Sequence, residues 1–395
     1  ATATVNPALY ELDAPTVTAR GGSNRVMLSW NKVTGASGYY IYSRKSSESV
    51  YQQTAVVKGT DTVSYLIKSL TQNTTYYYRV AAYCEVSGTQ IEGKLSTAVS
   101  AKTAAVSATS KGAKKYSTKA AFTKSPAYKT YKKMRSAMNY NKSFAIPGMK
   151  TTNVAGFSCT TMVPQGLCLA GSYFLITAYD YKNEQNSVIY VVSRSSKSYI
   201  TTIVLPSKAK VGGIAYDGTN IWVTYGKNLH SMPFEPIRQA AVNKQKFLEI
   251  YRINTVCPMP ETVSYVSYYK GMIWAGAYNE KVKKYMYGYQ ISNKTTRPTL
   301  KLKHRMLMPN RTQGVTFTKT GKMIVSRSCQ SAKNKSGFMS CVDTYKPTWN
   351  FGKYSLKKNA RKKTVKVPSM NEGIAICGSY TYLIYESCAF YDCVA

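Results

Sequence analysis

Glu372, Glu386, Glu261 and Asp180 are the carboxylates that the sequence offers for chemistry at one site. Cleaving a glycosidic bond takes two convergent carboxyl groups, one to protonate the leaving oxygen and one to activate water or attack carbon. Of the four, Glu372 alone stands in a repeated context. Gln165, Gly212, Gln313 and Glu372 each directly precede a glycine that opens an apolar run, and Ser264 takes the aligned position in between. Five equivalent positions on five equivalent strands would bring these residues around one axis. There they are expected either to hold a polar ligand or to order water and satisfy the strand backbones. Four of the five carry no acid, so no carboxylate pair is secured and no catalytic residue is assigned.

Other chemistries find little support. The chain has two histidines, His230 and His304. A Ser-His-Asp triad or a histidine-rich metal centre is therefore not expected. His304 lies in Lys301-Leu302-Lys303-His304-Arg305 and reads as part of a solvated basic strand. No phosphate-binding loop or dinucleotide fingerprint occurs, and no cofactor or metal is expected.

Nine cysteines are present without a C-x-x-C pair, which disfavours zinc ribbons and thioredoxin-like sites. An extracellular chain with some disulfides is the simpler reading. Cys84 stands alone early in the chain and reads as a buried strand residue. Cys329 and Cys388 each lie fifteen residues after a repeat glycine, Gly314 and Gly373. That spacing predicts a place at the end of a second strand, with Cys341 and Cys393 on the strand that follows. Antiparallel neighbours can reach disulfide distance, so the bonds Cys329–Cys341 and Cys388–Cys393 are expected. No comparable symmetry pairs Cys159, Cys168, Cys257 and Cys377.

Charge is the strongest compositional signal. Lys and Arg number 54 against 17 Asp and Glu, a formal net charge of +37. Such an excess implies a polyanionic partner: anionic cell-wall polymer, glycan, membrane surface or nucleic acid. Lys357, Lys358, Arg361, Lys362, Lys363 and Lys366 form one cluster, and Lys301, Lys303, Arg305 and Arg311 another. No run of eighteen apolar residues occurs, so no transmembrane segment is expected. Ala1 reads as a processed or trimmed start, and the stretch Phe390 to Ala395 reads as free of an anchoring tail.

The elements that must position these residues are strands. From Ala14 to Thr103, apolar and polar residues alternate with turns every eight to twelve residues, the pattern of an antiparallel sandwich. Leu70, Tyr76, Tyr78, Val80 and Ala82 share one parity. With Trp30 and the strand around Tyr40, these residues resemble the fibronectin type III family, which usually places Pro where Gln72 stands. The resemblance implies a tyrosine corner at Tyr76 and a spacer or interaction module. No Arg-Gly-Asp occurs to support integrin-type adhesion.

Residues 104–145 read as a basic linker. Lys111, Lys114 and Lys115 lead a series of cations interleaved with Tyr116, Tyr128, Tyr131 and Tyr140. No Asp or Glu occurs between Glu92 and Asp180. Such a segment is expected to be extended or partly ordered. It is either a solvated tether or a surface for stacking on bases or sugar rings.

From residue 146 the chain repeats about every fifty residues, as four-stranded blades do. Nine residues past each repeat glycine, or past Tyr265, stands a large residue: Leu175, Trp222, Trp274, Met323 or Tyr382. The last repeat is too short for four strands, and Thr152 to Thr161 is expected to complete it. A sixth, degenerate blade is an alternative, because Pro233 to Phe247 is an insertion with helical character. The region resembles secreted β-propeller domains that stand beside fibronectin-like modules in Gram-positive gut bacteria. The expected architecture is all-β: an N-terminal extension over 1–13, a fibronectin type III sandwich over 14–103, a linker over 104–145, and a β-propeller of about five blades over 146–395.

The resulting expectation is a secreted or cell-surface binding or structural protein. Its basic propeller face and linker would engage polyanionic polymer or glycan. A carbohydrate-active enzyme at the propeller mouth and a self-assembling fibre or layer subunit are the alternatives.

Overall fold

The computed structural model describes residues 11–22, 25–103, 118–154, 157–251, 253–293, 297–329, 339–350, 353–357 and 359–386. The described chain is all-β apart from a few short helices. It divides into two compact units, Ala1–Ser107 with Val154–Phe157, and Ala108–Asn153 with Ser158–Ala395.

Alternation builds the first unit. One sheet orders Val17–Gly21, Val26–Trp30 and Ser64–Ile67. The other orders Gln52–Lys58, Gly38–Lys45, Thr75–Val86 and Thr89–Leu95, with Val99–Lys102 also on Thr75–Val86. Tyr76, Tyr78, Val80 and Ala82 point into one core with Val26, Leu28, Trp30 and Ile41, and Leu70 packs at its margin. The Tyr76 hydroxyl accepts a hydrogen bond from the Thr71 N–H at 3.0 Å, the expected tyrosine corner. Cys84 is buried, as its strand position predicts.

The linker differs from expectation. Three short helices, Lys119–Thr123, Pro126–Thr130 and Lys132–Ala137, occupy its second half. Thr118 and Ser125 cap the first two by accepting from Ala121 N–H and Tyr128 N–H, and Pro126 sits in the first turn of the second. Phe122 packs its ring on Tyr128 and Tyr140 at 5.4 and 5.6 Å. The interleaved aromatics thus supply an apolar contact that a purely basic segment would lack. Lys111, Lys114 and Lys115 lie outside the described residues.

The repeats form five sheets, whose first strands are Met162–Ala170, Val211–Tyr216, Tyr265–Tyr269, Thr312–Phe317 and Asn371–Cys377. Each first strand packs against the first strand of the next sheet, and Asn371–Cys377 packs back against Met162–Ala170. Between neighbouring sheets lie the cores. Leu175 and Val191 meet Ile214 and Val223; Trp222 meets Ile273 and Ala275; Trp274 meets Val315 and Met323. The large residue of the first three repeats therefore fills a gap between sheets; Met323 shares the gap of Trp274, and the Tyr382 ring lies 4.7 Å from that of Phe174.

Two further expectations are corrected. Thr152–Val154 and Phe157–Cys159 pair with each other, and the last sheet shows two strands, Asn371–Cys377 and Tyr380–Tyr385, among the described residues. The insertion after Pro233 is no degenerate blade. Its helix Glu235–Val242 buries Ile237, Ala240 and Ala241, and Phe247–Glu249 then joins the first sheet in parallel with Tyr199–Val204.

Candidate functional site

The repeat glycines stand where two backbones meet. A Cβ on Gly166 would lie 2.9 Å from Ile214 N, on Gly213 2.6 Å from Val266 N, on Gly314 2.7 Å from Glu372 O, and on Gly373 2.5 Å from Leu167 N. Real Cβ atoms do not approach that closely, so at these four positions only glycine lets consecutive first strands touch. The strand pairing is irregular at the same points: between Pro164 and Leu167, Val211 and Ile214, Thr312 and Gly314, and Asn371 and Ile374. Such bulges re-aim side chains. Thr177 and Thr224, each eleven residues past its glycine, accept the N–H of Gly166 and Gly213 at 2.8 and 2.9 Å. Sequence reasoning missed this pair, although the shared spacing was visible.

The residues before the glycines turn inward. Gln165, Gln313 and Glu372 are exposed by 3% or less. Gln165 donates to the Pro164 carbonyl at 3.0 Å, and Gln313 Nε2 donates to Glu372 Oε1 at 3.0 Å. Gly212 contributes backbone alone; a Cβ there would meet Ser264 O at 2.8 Å. Ser264 is half-buried, and its hydroxyl accepts from Tyr278 N–H at 3.0 Å. Burial raises the Tyr278 phenol to about 12, with Glu280 adding to the shift.

Of the four sequence-predicted carboxylates, two come together. Glu386 lies near enough to Glu372 for its charge to act on it. Burial, and then the Glu386 charge, push the Glu372 carboxyl well above its usual range, against the opposing pull of Lys210 and Gln313. Glu386 pairs with Lys210 at 3.7 Å and accepts from the Tyr179 hydroxyl at 3.3 Å, while Lys210 lies over the Tyr179 ring.

Asp180 and Glu261 sit elsewhere. Burial alone would raise Asp180. Four hydrogen bonds, from the Thr161 hydroxyl and the N–H groups of Gln185, Glu184 and Lys182, outweigh it and lower its pKa. Glu261 pairs with Lys284 at 2.5 Å. His304 stacks on Trp274 instead of standing in solvent, and burial lowers the pKa of His230. Among the described residues, no three His, Cys, Asp or Glu side chains gather as a metal site.

The basic clusters fare differently. Lys357, Arg361, Lys362, Lys363 and Lys366 are exposed, most of them on the edge strand Arg361–Lys366. Lys301, Lys303 and Arg305 are exposed on the edge strand Thr299–Leu307. Arg311 is the exception: it is buried and pairs with Glu280 at 2.7 Å. Lys358 lies outside the described residues, as do Cys388 and Cys393.

The expected Cys329–Cys341 bond is not formed. The strand Met323–Arg327 ends two residues before Cys329, and the register places Cys341 opposite Arg327. Cys329 instead donates its N–H to Ser340 Oγ at 2.8 Å and accepts from Met370 N–H at 3.0 Å.

No family description and no curated protein matches the chain. Among solved structures, it is similar to the fn3 domain of human contactin 1 at 22% identity. That match covers 28% of this chain and 95% of the other, with a TM-score of 0.23. The FN5 domain of Drosophila Lar matches at 22% identity over 23% of this chain and 96% of that one, with a TM-score of 0.19. A structure named "Myokine structure" matches at 26% identity over 23% of this chain and 97% of that one, with a TM-score of 0.20. The first unit is a fibronectin-III-like β-sandwich, as its strand order requires. No described helix is long and apolar enough to cross a membrane.

Proposed function

We propose that residues 146–395 form a five-bladed β-propeller and that the protein is a secreted, surface-associated binding protein for anionic cell-wall polymer or glycan. The cycle of first-strand contacts and the glycines at four of the five approaches support the propeller. One observation carries the binding reading: acids turned inward beside cations turned outward. In the second unit Asp180, Asp217, Asp343, Glu372 and Glu386 are buried. The lysines and arginines of the two edge strands are exposed. Cations on strand edges also discourage edge-to-edge pairing, and together they leave a positive field that an extended polyanion neutralises along its length.

The test is a salt series on the full chain with an immobilised sulfated polysaccharide. Counterion release makes affinity fall steeply as salt rises. The triple variant Arg361→Ser, Lys362→Ser, Lys363→Ser should lower the log-log slope by about two to three. Binding that ignores salt, or a triple variant with an unchanged slope, would overturn the reading.

A further inference from the structure

We propose that the cleft at the short helices before the repeats is a binding site for a single anionic sugar unit, a uronate or sulfated hexose. The cleft measures about 310 Å³ and is lined by Lys119, Phe122, Tyr128, Arg135, Tyr140 and Asn141, among others. That size suits one or two small rings. Three half-buried aromatics shape its wall: Tyr140 stacks on Phe122 with 26° between the rings, and Tyr128 meets Phe122 edge-on at 80°. Aromatic faces of this kind receive the C–H face of a pyranose. Arg135 lies 5.4 Å from the Tyr128 ring centre, so the cation and the platform are adjacent.

Charge selects the ligand's sign. Lys119 and Arg135 line the cleft, no acid does, and no Asp or Glu occurs between Glu92 and Asp180. Neither cation forms a salt bridge among the described residues. A carboxylate or sulfate entering the cleft therefore meets two cations and no repulsion. The neutral side chains select the class. Thr123, Asn139 and Asn141 also line the cleft. They offer donors and acceptors that match sugar hydroxyls, whereas a bare phosphate chain would need only the cations.

This inference rests on the binding reading only for the ligand's charge, and the two can fail separately. The probe is a short oligogalacturonate, titrated calorimetrically into the full chain, with the neutral galactose oligomer of the same length and a mononucleotide as controls. Binding at one site per chain is expected, weaker by about tenfold or more for the neutral oligomer. Arg135→Gln should lose about tenfold, because the residue is exposed and its replacement leaves the fold intact. Tyr140→Leu should lose a similar factor. Three results would overturn the site: no oligogalacturonate binding while the sulfated polymer still binds, equal binding by Arg135→Gln, or tighter binding of the mononucleotide. Oligogalacturonate binding that survives a salt-independent polymer result would uphold the cleft and remove the edge-strand reading alone.

Discussion

The two units use their scarce acids in opposite ways. In the sandwich they sit outside and pair directly with exposed cations: Lys32–Asp61 at 2.7 Å, Lys94–Glu11 at 3.1 Å and Lys45–Glu48 at 3.7 Å. In the repeat unit several sit inside as hydrogen-bond hubs. Asp343 accepts from Arg327, Tyr345 and Thr364. Asp217 accepts from the N–H groups of Thr219 and Asn220 and from the Trp222 indole at 2.8 Å. A few, such as Glu235 with Arg238, remain surface partners there too. An acid buried to satisfy a turn or a buried arginine is an acid withdrawn from the surface. Internal order and external positive charge in the repeat unit thus have one origin.

The comparison breaks most sharply at Asp343. Replacing it by Ala leaves Arg327 buried without its carboxylate and should cost about 3–5 kcal/mol. The surface counterpart Asp61→Ala should leave the sandwich's unfolding midpoint unchanged, because exposed pairs contribute little. Denaturant titrations of both variants check this; equal effects would remove the distinction. Next in size is Gly213→Ala. With no room for its Cβ, it should destabilise the repeat unit by about 1–3 kcal/mol, whereas Gly88→Ala in the sandwich meets nothing within 4 Å and should suffer only its positive φ of 81°. An unaffected Gly213→Ala protein would mean that the first strands do not touch as described.

The smallest effect is a pH slope. The native pKa of Glu372 is raised above the unfolded value, so between the two the native state holds a proton that the unfolded chain has released. Stability contributed by that proton is full below about pH 4.5 and declines as pH rises toward the native pKa. The decline is no more than about 1.4 kcal/mol per pH unit. Glu372→Gln imitates the protonated form and should flatten the slope between pH 5 and neutrality, roughly as one group's share of it. Identical slopes in both proteins would show that Glu372 does not hold the proton.

What the chain made readable was local or periodic. Alternation marked the sandwich core, because a strand's side chains must change face at every residue. The tyrosine corner was legible because its hydroxyl reaches only five residues back, from Tyr76 to Thr71. The repeat showed itself in glycine spacing, because four of the five first strands meet the same steric limit where they touch a neighbour. Glu372 and Glu386 were both named as candidates, but nothing in their spacing said which carboxylates would meet.

Tertiary structure decided what depends on register and on which face looks inward. The Cys329–Cys341 pairing failed because a strand ended two residues early, and spacing alone cannot locate that end. Arg311 left the basic surface because Glu280 was waiting at its buried position, 31 residues earlier in the chain. The linker helices formed because Phe122 found Tyr128 and Tyr140. Composition set the total charge at +37, a sum that no fold can change. Where that charge shows depended on which acids the packed sheets drew inside, since burying a carboxylate is tolerable only where hydrogen-bond donors already converge.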